Sequence, residues 1–205
     1  MRRRAAQACY APAMAAPLIR PAVLADCEAL ARVHHESWMA AYRGVMAEAF
    51  LDTLSPAGFE SYARPRLEKP EAGQCYLVAE SDGEVVGFSR AGPTRSISPT
   101  GDALPTGFTD HAGAELYAVY VLPRVFGSGS GAALLAATGR AMAAAGHSAM
   151  CVWVLSGNTR ALAWYKRRGA VPIAEAPITL GGVPYPQTAL VWRDLHTSLV
   201  RKHEG

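Results

Sequence analysis

The stretch VLPRVFGSGSGAALL, residues 121–135, decides how the rest of the chain folds. A β-branched run ends at a proline, Gly and Ser then alternate, and an Ala/Leu run follows, which predicts a strand, a turn and a helix. A flexible Gly/Ser linker would separate two folded parts, whereas this turn joins a strand to the helix that must return to the same sheet. The glycines therefore predict a turn whose bare main-chain amides contact a ligand.

The expected ligand of this turn is a phosphate group. Gly127, Gly129 and Gly131 let consecutive amides point into one concavity where the helix begins. Unpaired N–H groups and the positive end of the helix dipole attract phosphate at such a place.

The segments on either side of the turn predict a mixed α/β domain whose order is βα, a ββ hairpin, βαβ, α and ββ, with no internal repeat. The predicted helices span 25–44, 131–146 and 158–169. The predicted strands span 17–23, 74–80, 84–90, 114–122 and 148–155, with two more near 171–180 and 188–195. Asp82-Gly83 supplies the hairpin turn, and the short crossover makes the strands 114–122 and 148–155 parallel. Residues 91–113 are rich in Pro, Gly, Ser and Thr and predict a loop, which is either a lid or mobile.

Composition limits the class of protein. The 205 residues are 50% hydrophobic and 18% charged, which suits one globular domain. The formal charge of +3 comes without a basic block, so we expect no nucleic-acid partner, although a small anionic ligand is easily accommodated. Cys9, Cys27, Cys75 and Cys151 form no CxxC pair, which favours reduced thiols in the cytoplasm and no metal site.

The ends of the chain are expected to lie outside the domain. Residues 1–16 have a basic start and a weak apolar middle, which is more typical of a disordered tail, or of an extension upstream of a true start at Met14, than of a targeting signal. No apolar run reaches the roughly 18 residues that a membrane span needs. We therefore expect a single domain over 17–197, a C-terminal tail over 198–205 and no membrane partner.

Three kinds of phosphate loop compete for the glycine turn. A Walker loop is excluded, because no Lys-Ser/Thr pair follows the last glycine. The dinucleotide fingerprint matches as Gly127-x-Gly129-x-x-Ala132, but its turn should follow the strand directly and an acidic residue should end the next strand. Here PRVF intervenes, and the next strand ends in VLSGN.

The third kind of loop comes from a resemblance. From about Ile19 to Leu195 the chain resembles the GNAT superfamily of N-acetyltransferases. The resemblance is carried by a Val-x-Val-x-Pro strand, 119–123, by a Gly-x-Gly-x-Gly turn, 127–131, and by a later motif of Asn158, Trp164-Tyr165 and Gly169. The two motifs occur in the family's order with a strand between them. Phe126 departs from the pattern, because the family has Gln or Arg there.

The resemblance implies a fold and a donor. The fold is a mixed, mostly antiparallel sheet of about six to seven strands flanked by helices, with a central parallel pair splayed around the cofactor. The donor is acetyl-CoA, whose acetyl group passes directly to a primary amine of a small molecule or peptide. The implied cofactor contacts are Val119, Tyr120, Val121, Phe126, Gly127, Ser128, Gly129, Ser130, Gly131, Ala132, Asn158 and Tyr165. A bulge at the level of Val119–Val121 would free amides for the thioester oxygen.

The reaction itself requires a base and an acid. A lysine-like amine is mostly protonated at neutral pH, and the leaving thiolate departs more readily beside a proton donor. Tyr165 is the expected acid, although its ring can equally pack on the sheet. Glu115 is the expected base and would act through a water molecule, since strand alternation places it on the same face as Tyr117, Val119 and Val121. The alternative is that Glu115, at the start of a strand, is a solvated charge at the edge of the sheet. His34 and His35 are alternatives by chemistry.

The acceptor is not specified by the sequence. Trp38 and Tyr42 share a helix face and, with Arg43 and Tyr185, are the expected acceptor contacts; core packing is the other reading of the aromatic pair. A non-catalytic acyl-CoA sensor of the same fold remains the alternative function. An exposed last strand also allows two copies to pair as a homodimer.

Overall fold

The computed structural model describes residues 16–105 and 107–200. The predicted N-terminal extension therefore lies almost entirely outside the described residues, as do Met14 and Cys9. Within the described ranges, the chain folds into one seven-stranded sheet with helices on both faces. The predicted fold class is confirmed.

The strands follow one another in the sheet order β1-β2-β3-β4-β5-β7-β6. Their bounds are β1 Leu18–Pro21, β2 Cys75–Ser81, β3 Glu84–Pro93, β4 Ala114–Val121, β5 Met150–Leu155, β6 Val171–Leu180 and β7 Val183–Trp192. All neighbours are antiparallel except β4 and β5, which are parallel. The β2–β3 turn uses Asp82 and Gly83 with φ of 53° and 76°, the positive values that such a tight turn requires.

The helices divide between the two faces of the sheet. Their bounds are α1 Cys27–Tyr42, α2 Glu48–Leu51, α3 Pro56–Glu68, α4 Ser130–Ala144 and α5 Thr159–Lys166. Helices α1 and α3 pack together on one face, while α4 covers β2, β3 and β4 on the other. Helices α2 and α3 are not among the predicted elements, although Ser55 and Pro56 form a standard start for α3: the Ser55 hydroxyl accepts a hydrogen bond from the Gly58 N–H at 3.2 Å.

Two predicted segment boundaries differ in the structure. In the expected loop 91–113, β3 continues to Pro93, a short helical turn spans Phe108–His111, and Phe108 is buried. Asp102 in this loop accepts two hydrogen bonds from Thr179 of β6. The Thr179 main-chain N–H and the Thr179 hydroxyl both donate to its carboxylate at 3.1 Å. At the C-terminus, a last helical turn spans His196–Val200, and buried Leu199 packs on Gly139 of α4, two residues beyond the expected domain end.

The central pair of strands opens toward one end. Strands β4 and β5 pair only from Ala114 to Leu116, against Met150 to Val152. Beyond that point no further pairs join the two strands, so the main chain of β4 after Leu116 faces a gap. The sheet therefore has a wedge-shaped opening in its middle, next to the turn that begins α4.

Candidate active site

The turn between β4 and α4 has an open backbone. Gly127 and Gly129 have φ of +87° and +92°, which side chains rarely adopt, and a Cβ on either would meet no atom within 4 Å. The Ala133 N–H donates to the Gly129 carbonyl at 2.9 Å as the first bond of the helix. The amides of Gly131 and Ala132 precede that bond and so lack an intrahelical acceptor.

The two serines of this turn shape it from within. The hydroxyl groups of Ser128 and Ser130 lie 2.8 Å apart, and the Ser130 N–H donates to the Ser128 hydroxyl at 3.3 Å. Ser130 is buried. The Ser128 N–H donates to the Val125 carbonyl and the Phe126 N–H to the Pro123 carbonyl, both at 3.1 Å. The amides of Phe126, Ser128 and Ser130 are therefore already engaged, while those of Gly131 and Ala132 stay available.

Helix α5 stands beside the glycine turn. The Asn158 side chain caps it by accepting a hydrogen bond from the Ala161 N–H at 3.1 Å. The Trp164 ring lies 3.5 Å from where a Cβ on Gly131 would stand, so α5 packs directly against the start of α4. The Arg160 guanidinium covers the exposed ring of Phe126, 3.9 Å from its centroid. A cation thus stands where the family pattern has its Gln or Arg.

The bulge in β4 lies earlier than expected. In the β3–β4 ladder, Arg90 pairs with Ala118 and Ala91 pairs with Leu116, so Tyr117 is the extra residue. The expected position at 119–121 is therefore wrong. An inserted residue reverses which face the following side chains occupy.

The shifted bulge also corrects the expected grouping of side chains on β4. Val121 lies beside Gly131 on the α4 face, and Val119 packs in the cluster that contains Tyr165. Glu115 and Tyr117 instead line a cavity on the opposite face, together with Tyr120. Simple alternation fails here because it assumes an unbroken strand.

Three tyrosines surround the wedge between β4 and β5. Tyr165 is 6% exposed, and its ring packs edge-on against Trp192 at 5.7 Å between centroids. Burial raises the pKa of the Tyr165 hydroxyl, and Tyr42 adds to that rise. Desolvation also raises the pKa values of Tyr42 and Tyr120, with Tyr120 and Asn158 opposing the rise at Tyr42. All three phenols therefore keep their protons across the neutral range.

A cavity of about 460 Å³ extends from Tyr42 and Tyr120 across the α1–α3 face of the sheet. Its wall is strongly aromatic. The helices contribute His34, Trp38, Tyr42, Phe59 and Tyr62, and the strands contribute Tyr76, Phe88, Tyr117, Tyr120 and Trp153. Its volume is in the range of small-molecule sites.

Glu115 lies in the cavity wall but is tightly held. It is 1% exposed, and Arg95 donates to its carboxylate from the main-chain N–H at 3.1 Å, from Nε at 3.2 Å and from Nη2. Burial alone would lower the pKa of Arg95, but the hydrogen bonds and charge of Glu115 outweigh it and raise that pKa. The solvated edge charge, which is the other sequence-based interpretation, does not fit this burial.

His34 is a neutral part of the same wall. Its ring stacks on Tyr120 at 4.9 Å and lies 4.1 Å from Phe59. Desolvation, with a smaller effect of the Arg90 charge, lowers the pKa of His34 to about 3. At neutral pH it presents an uncharged imidazole.

The four predicted acceptor contacts separate into two pairs. Trp38 and Tyr42 both line the cavity, with 5.0 Å between ring centroids. Arg43 follows the last residue of α1 and turns away to Glu48, at 2.9 Å, and Asp52. The Tyr185 hydroxyl accepts a hydrogen bond from the Ala47 N–H at 2.9 Å and fastens the α1–α2 connection to β7. Neither Arg43 nor Tyr185 lines the cavity.

The cavity residues of α3 and β3 are not among the predicted site residues. Phe59 and Tyr62 stand three residues apart on α3, which the Ser-Pro start could have revealed. Arg90 is a charged residue in the buried middle of β3, and a buried charge is a signal of function. Arg95 lies in the expected loop and carries no local pattern.

Comparison with known proteins places this geometry in one family. The family model described as "Acetyltransferase (GNAT) family" matches residues 30–170. The chain is 30% identical over 177 residues to YuaI of Bacillus subtilis, an uncharacterized N-acetyltransferase, covering 86% of this chain and 93% of that protein.

Two solved structures have the same fold. The PaiA N-acetyltransferase of Thermoplasma acidophilum, in complex with coenzyme A, is 18% identical with a TM-score of 0.61, over 84% of this chain and 97% of that one. YncA of Salmonella typhimurium, described as a putative acetyltransferase with its cofactor acetyl-CoA, is 21% identical with a TM-score of 0.61, over 87% and 94%. None of the helices in residues 16–105 and 107–200 combines the length and the hydropathy that a transmembrane helix needs.

Proposed function

This chain is a member of the GNAT family of acetyltransferases, and we propose that it transfers the acetyl group of acetyl-CoA directly to the primary amine of a small acceptor. One observation carries the proposal. Helix α5 links the open glycine turn to the aromatic cavity: its Trp164 packs against Gly131 of the turn, and its Tyr165 lies close to Tyr42, which belongs to the cavity wall. A donor held at the turn would therefore present its acetyl group to an acceptor in the cavity.

The turn and its surroundings fit the phosphates of such a donor. The amides of Gly131 and Ala132 are free, and the positive φ of Gly127 and Gly129 keeps side chains out of the concavity. Arg160, held over Phe126, would supply the side-chain N–H donors that the family pattern takes from Gln or Arg, together with a positive charge. The unpaired edge of β4 at Val119–Val121 would hold the pantetheine arm and polarise the thioester carbonyl through main-chain N–H groups.

The reaction then needs several proton movements. The amine nitrogen forms a bond to the acetyl carbon, the carbon–sulfur bond breaks, and the sulfur leaves as a thiolate. We propose that Tyr165, which keeps its proton because burial raises its pKa, donates to this thiolate. A protonated amine loses one proton through water to Glu115 before it attacks; Oε1 of Glu115 accepts one hydrogen bond from Arg95 and so retains a lone pair for that proton. After the attack the nitrogen loses a second proton, which passes through water to replace the one that Tyr165 gave to the sulfur.

Release of the coenzyme A thiol tests this proposal directly. Acetyl-CoA is incubated with the protein and a panel of primary amines, and free thiol is measured beside calorimetric binding of acetyl-CoA. We expect turnover with at least one amine, and Tyr165→Phe to lower kcat by about 100-fold while the Kd for acetyl-CoA stays within twofold. Trp164→Phe, a neighbouring aromatic change without a hydroxyl, is the matched control for packing.

Each alternative has its own signature in the same measurements. Tight binding of acetyl-CoA without thiol release for any amine would favour the acyl-CoA sensor. No heat on addition of acetyl-CoA would contradict both readings. If Tyr165→Phe and the unchanged protein have equal kcat, Tyr165 is not the general acid. That result would not contradict acetyl transfer itself.

A further inference from the structure

The charges that line the acceptor cavity do not cancel. Among the described residues of its wall, the charged side chains are Arg90, Arg95 and Glu115, and His34 is neutral. Arg95 and Glu115 are bound to each other. Arg90 therefore leaves the cavity with one uncompensated positive charge.

Arg90 is buried without an anionic partner. It is 8% exposed and projects from β3 into the aromatic wall. Its Nη1 donates to the Tyr62 hydroxyl at 3.0 Å, and its guanidinium lies 5.6 Å and 4.8 Å from the ring centroids of Tyr62 and Tyr117. These rings ease the burial of a cation, but neither carries a negative charge. The Nε donor of Arg90 has no acceptor.

The same cavity contains further donors that lack acceptors. Trp38 Nε1 and Trp153 Nε1 are also buried without a hydrogen-bond partner. The Trp38 N–H lies near the Tyr120 hydroxyl, because the Trp38 side chain opposes the rise in the pKa of Tyr120. Even so, the Trp38 N–H has no hydrogen-bond acceptor. In residues 16–105 and 107–200, three buried side-chain N or O atoms have no hydrogen-bond partner. All three are N–H donors, and all three belong to residues of this cavity wall. Buried polar groups are normally satisfied, so the occupant of the cavity must bring acceptors.

We infer that the acceptor amine carries an anionic oxygen group, a carboxylate or a phosphonate, that binds Arg90. This inference rests on the proposed acetyl transfer and names the class of its acceptor: a small amino acid-like compound with an apolar or aromatic body. Arg90 lies two residues along β3 from Phe88, which pairs with Tyr120 at the wedge. Two residues of strand span about 7 Å, so one small molecule can reach both the wedge and Arg90.

The same charge disfavours another class of acceptor. A polyamine or an aminoglycoside would bring several positive charges next to a buried arginine, where the low dielectric strengthens the repulsion. Aromatic walls attract single cations, but arginines already lie against two of these rings: Arg66 is 3.6 Å from the centroid of Tyr62, Arg95 is 4.5 Å from that of Tyr117, and Arg90 is near both.

Matched acceptors test this inference on the unchanged protein. L-Phenylalanine, L-leucine and L-methionine are each compared with their amide and with the amine that lacks the carboxylate; 1-amino-2-phenylethylphosphonate and spermidine complete the panel. We expect kcat/KM to be about 10- to 100-fold higher for the anionic member of a pair. This ratio corresponds to the usual free energy of a charge-assisted hydrogen bond. The phosphonate separates a general oxyanion site from one shaped for a carboxylate.

A binding measurement keeps the test independent of turnover. N-Acetyl-L-phenylalanine and N-acetylphenylethylamine are titrated calorimetrically into the protein with coenzyme A present. Tighter binding of the carboxylate supports the inference even if the panel lacks a fast acceptor. Equal binding of the two compounds, or equal turnover of amino acids and their amides, overturns it while leaving acetyl transfer intact.

Substitution of Arg90 identifies the residue responsible. Arg90→Gln should remove the preference for the anionic member of each pair, mainly through KM, and Arg90→Lys should restore part of it. Arg140→Gln, an exposed arginine on α4, is the control. Melting temperature and the Kd for acetyl-CoA report whether each variant is folded; should Arg90→Gln fail to fold, the substrate pairs on the unchanged protein decide. A folded Arg90→Gln that keeps the full preference contradicts the assignment to this residue.

Discussion

The guanidinium of Arg160 lies 3.9 Å from the ring centroid of Phe126 and covers its exposed face. This contact joins the start of α5 to the loop that leads into α4. It restores a positive charge at a position where the family pattern has a polar residue and this chain has an aromatic one. Arg160 is exposed, so its charge remains available to a ligand at the turn.

The first prediction concerns this replaced charge. Arg160→Gln should raise the Kd for acetyl-CoA about tenfold, because a charge-assisted contact to phosphate is lost. Binding is measured by calorimetry at two salt concentrations, and the loss should shrink at high salt. Arg167→Gln, also exposed but at the far end of α5, is the control. Unchanged affinity at low salt would show that the main-chain amides suffice.

The second prediction separates backbone shape from stability. Gly129→Ala should lower the free energy of unfolding by roughly 1–2 kcal/mol, because a residue with a side chain is strained at a φ of +92°. It should also weaken the affinity for acetyl-CoA by about tenfold, because relaxation of that strain changes the direction of the main-chain amides in the turn. Gly146→Ala is a matched control with φ of +90° and equally open space, at the other end of α4. It should lose stability alone. Equal affinities of the two variants would exclude this turn from the donor site.

The third prediction concerns the base. Glu115→Gln should lower kcat by about 100-fold. The substitution also leaves Arg95 unpaired in a buried place, which destabilises the protein. Arg95→Gln breaks the same ion pair but keeps the carboxylate, so it should retain most of kcat. Equal losses of kcat in the two folded variants would assign to Glu115 only the positioning of Arg95.

The fourth prediction is a dependence of stability on pH. The pKa of His34 in the folded chain is about 3, below its unfolded value near 6.5, so the unfolded state binds the proton first. The full contribution of neutral His34 to stability should be present well above pH 6.5 and be lost as the pH drops toward 3, with a loss of roughly 1.6 kcal/mol between pH 6.5 and 5. Melting curves of His34→Gln should lack this component, whereas exposed His111→Gln should keep it. Parallel curves for all three proteins would contradict the burial of a neutral imidazole.

Much of the frame could be predicted from sequence because it depends on local signals. Positive φ at Gly127 and Gly129, the cap at Asn158 and the Asp82-Gly83 turn each follow from the conformational range of one or two residues. Strand patterns around them were sufficient to predict the parallel pair. The bulge at Tyr117 was not predictable, since it arises from how β4 pairs with β3.

Steric limits on the backbone act within a few residues, so local sequence was sufficient to specify a strand, an open glycine turn and a helix in that order. Which side chains share the cavity depends instead on long-range packing. Arg90, Tyr62 and Glu115 come from β3, α3 and β4, and they meet because the sheet and its helices bury apolar surface together. Whether a charge is paired depends on neighbours distant in sequence: Glu115 is neutralised by Arg95, whereas Arg90 is left for a ligand.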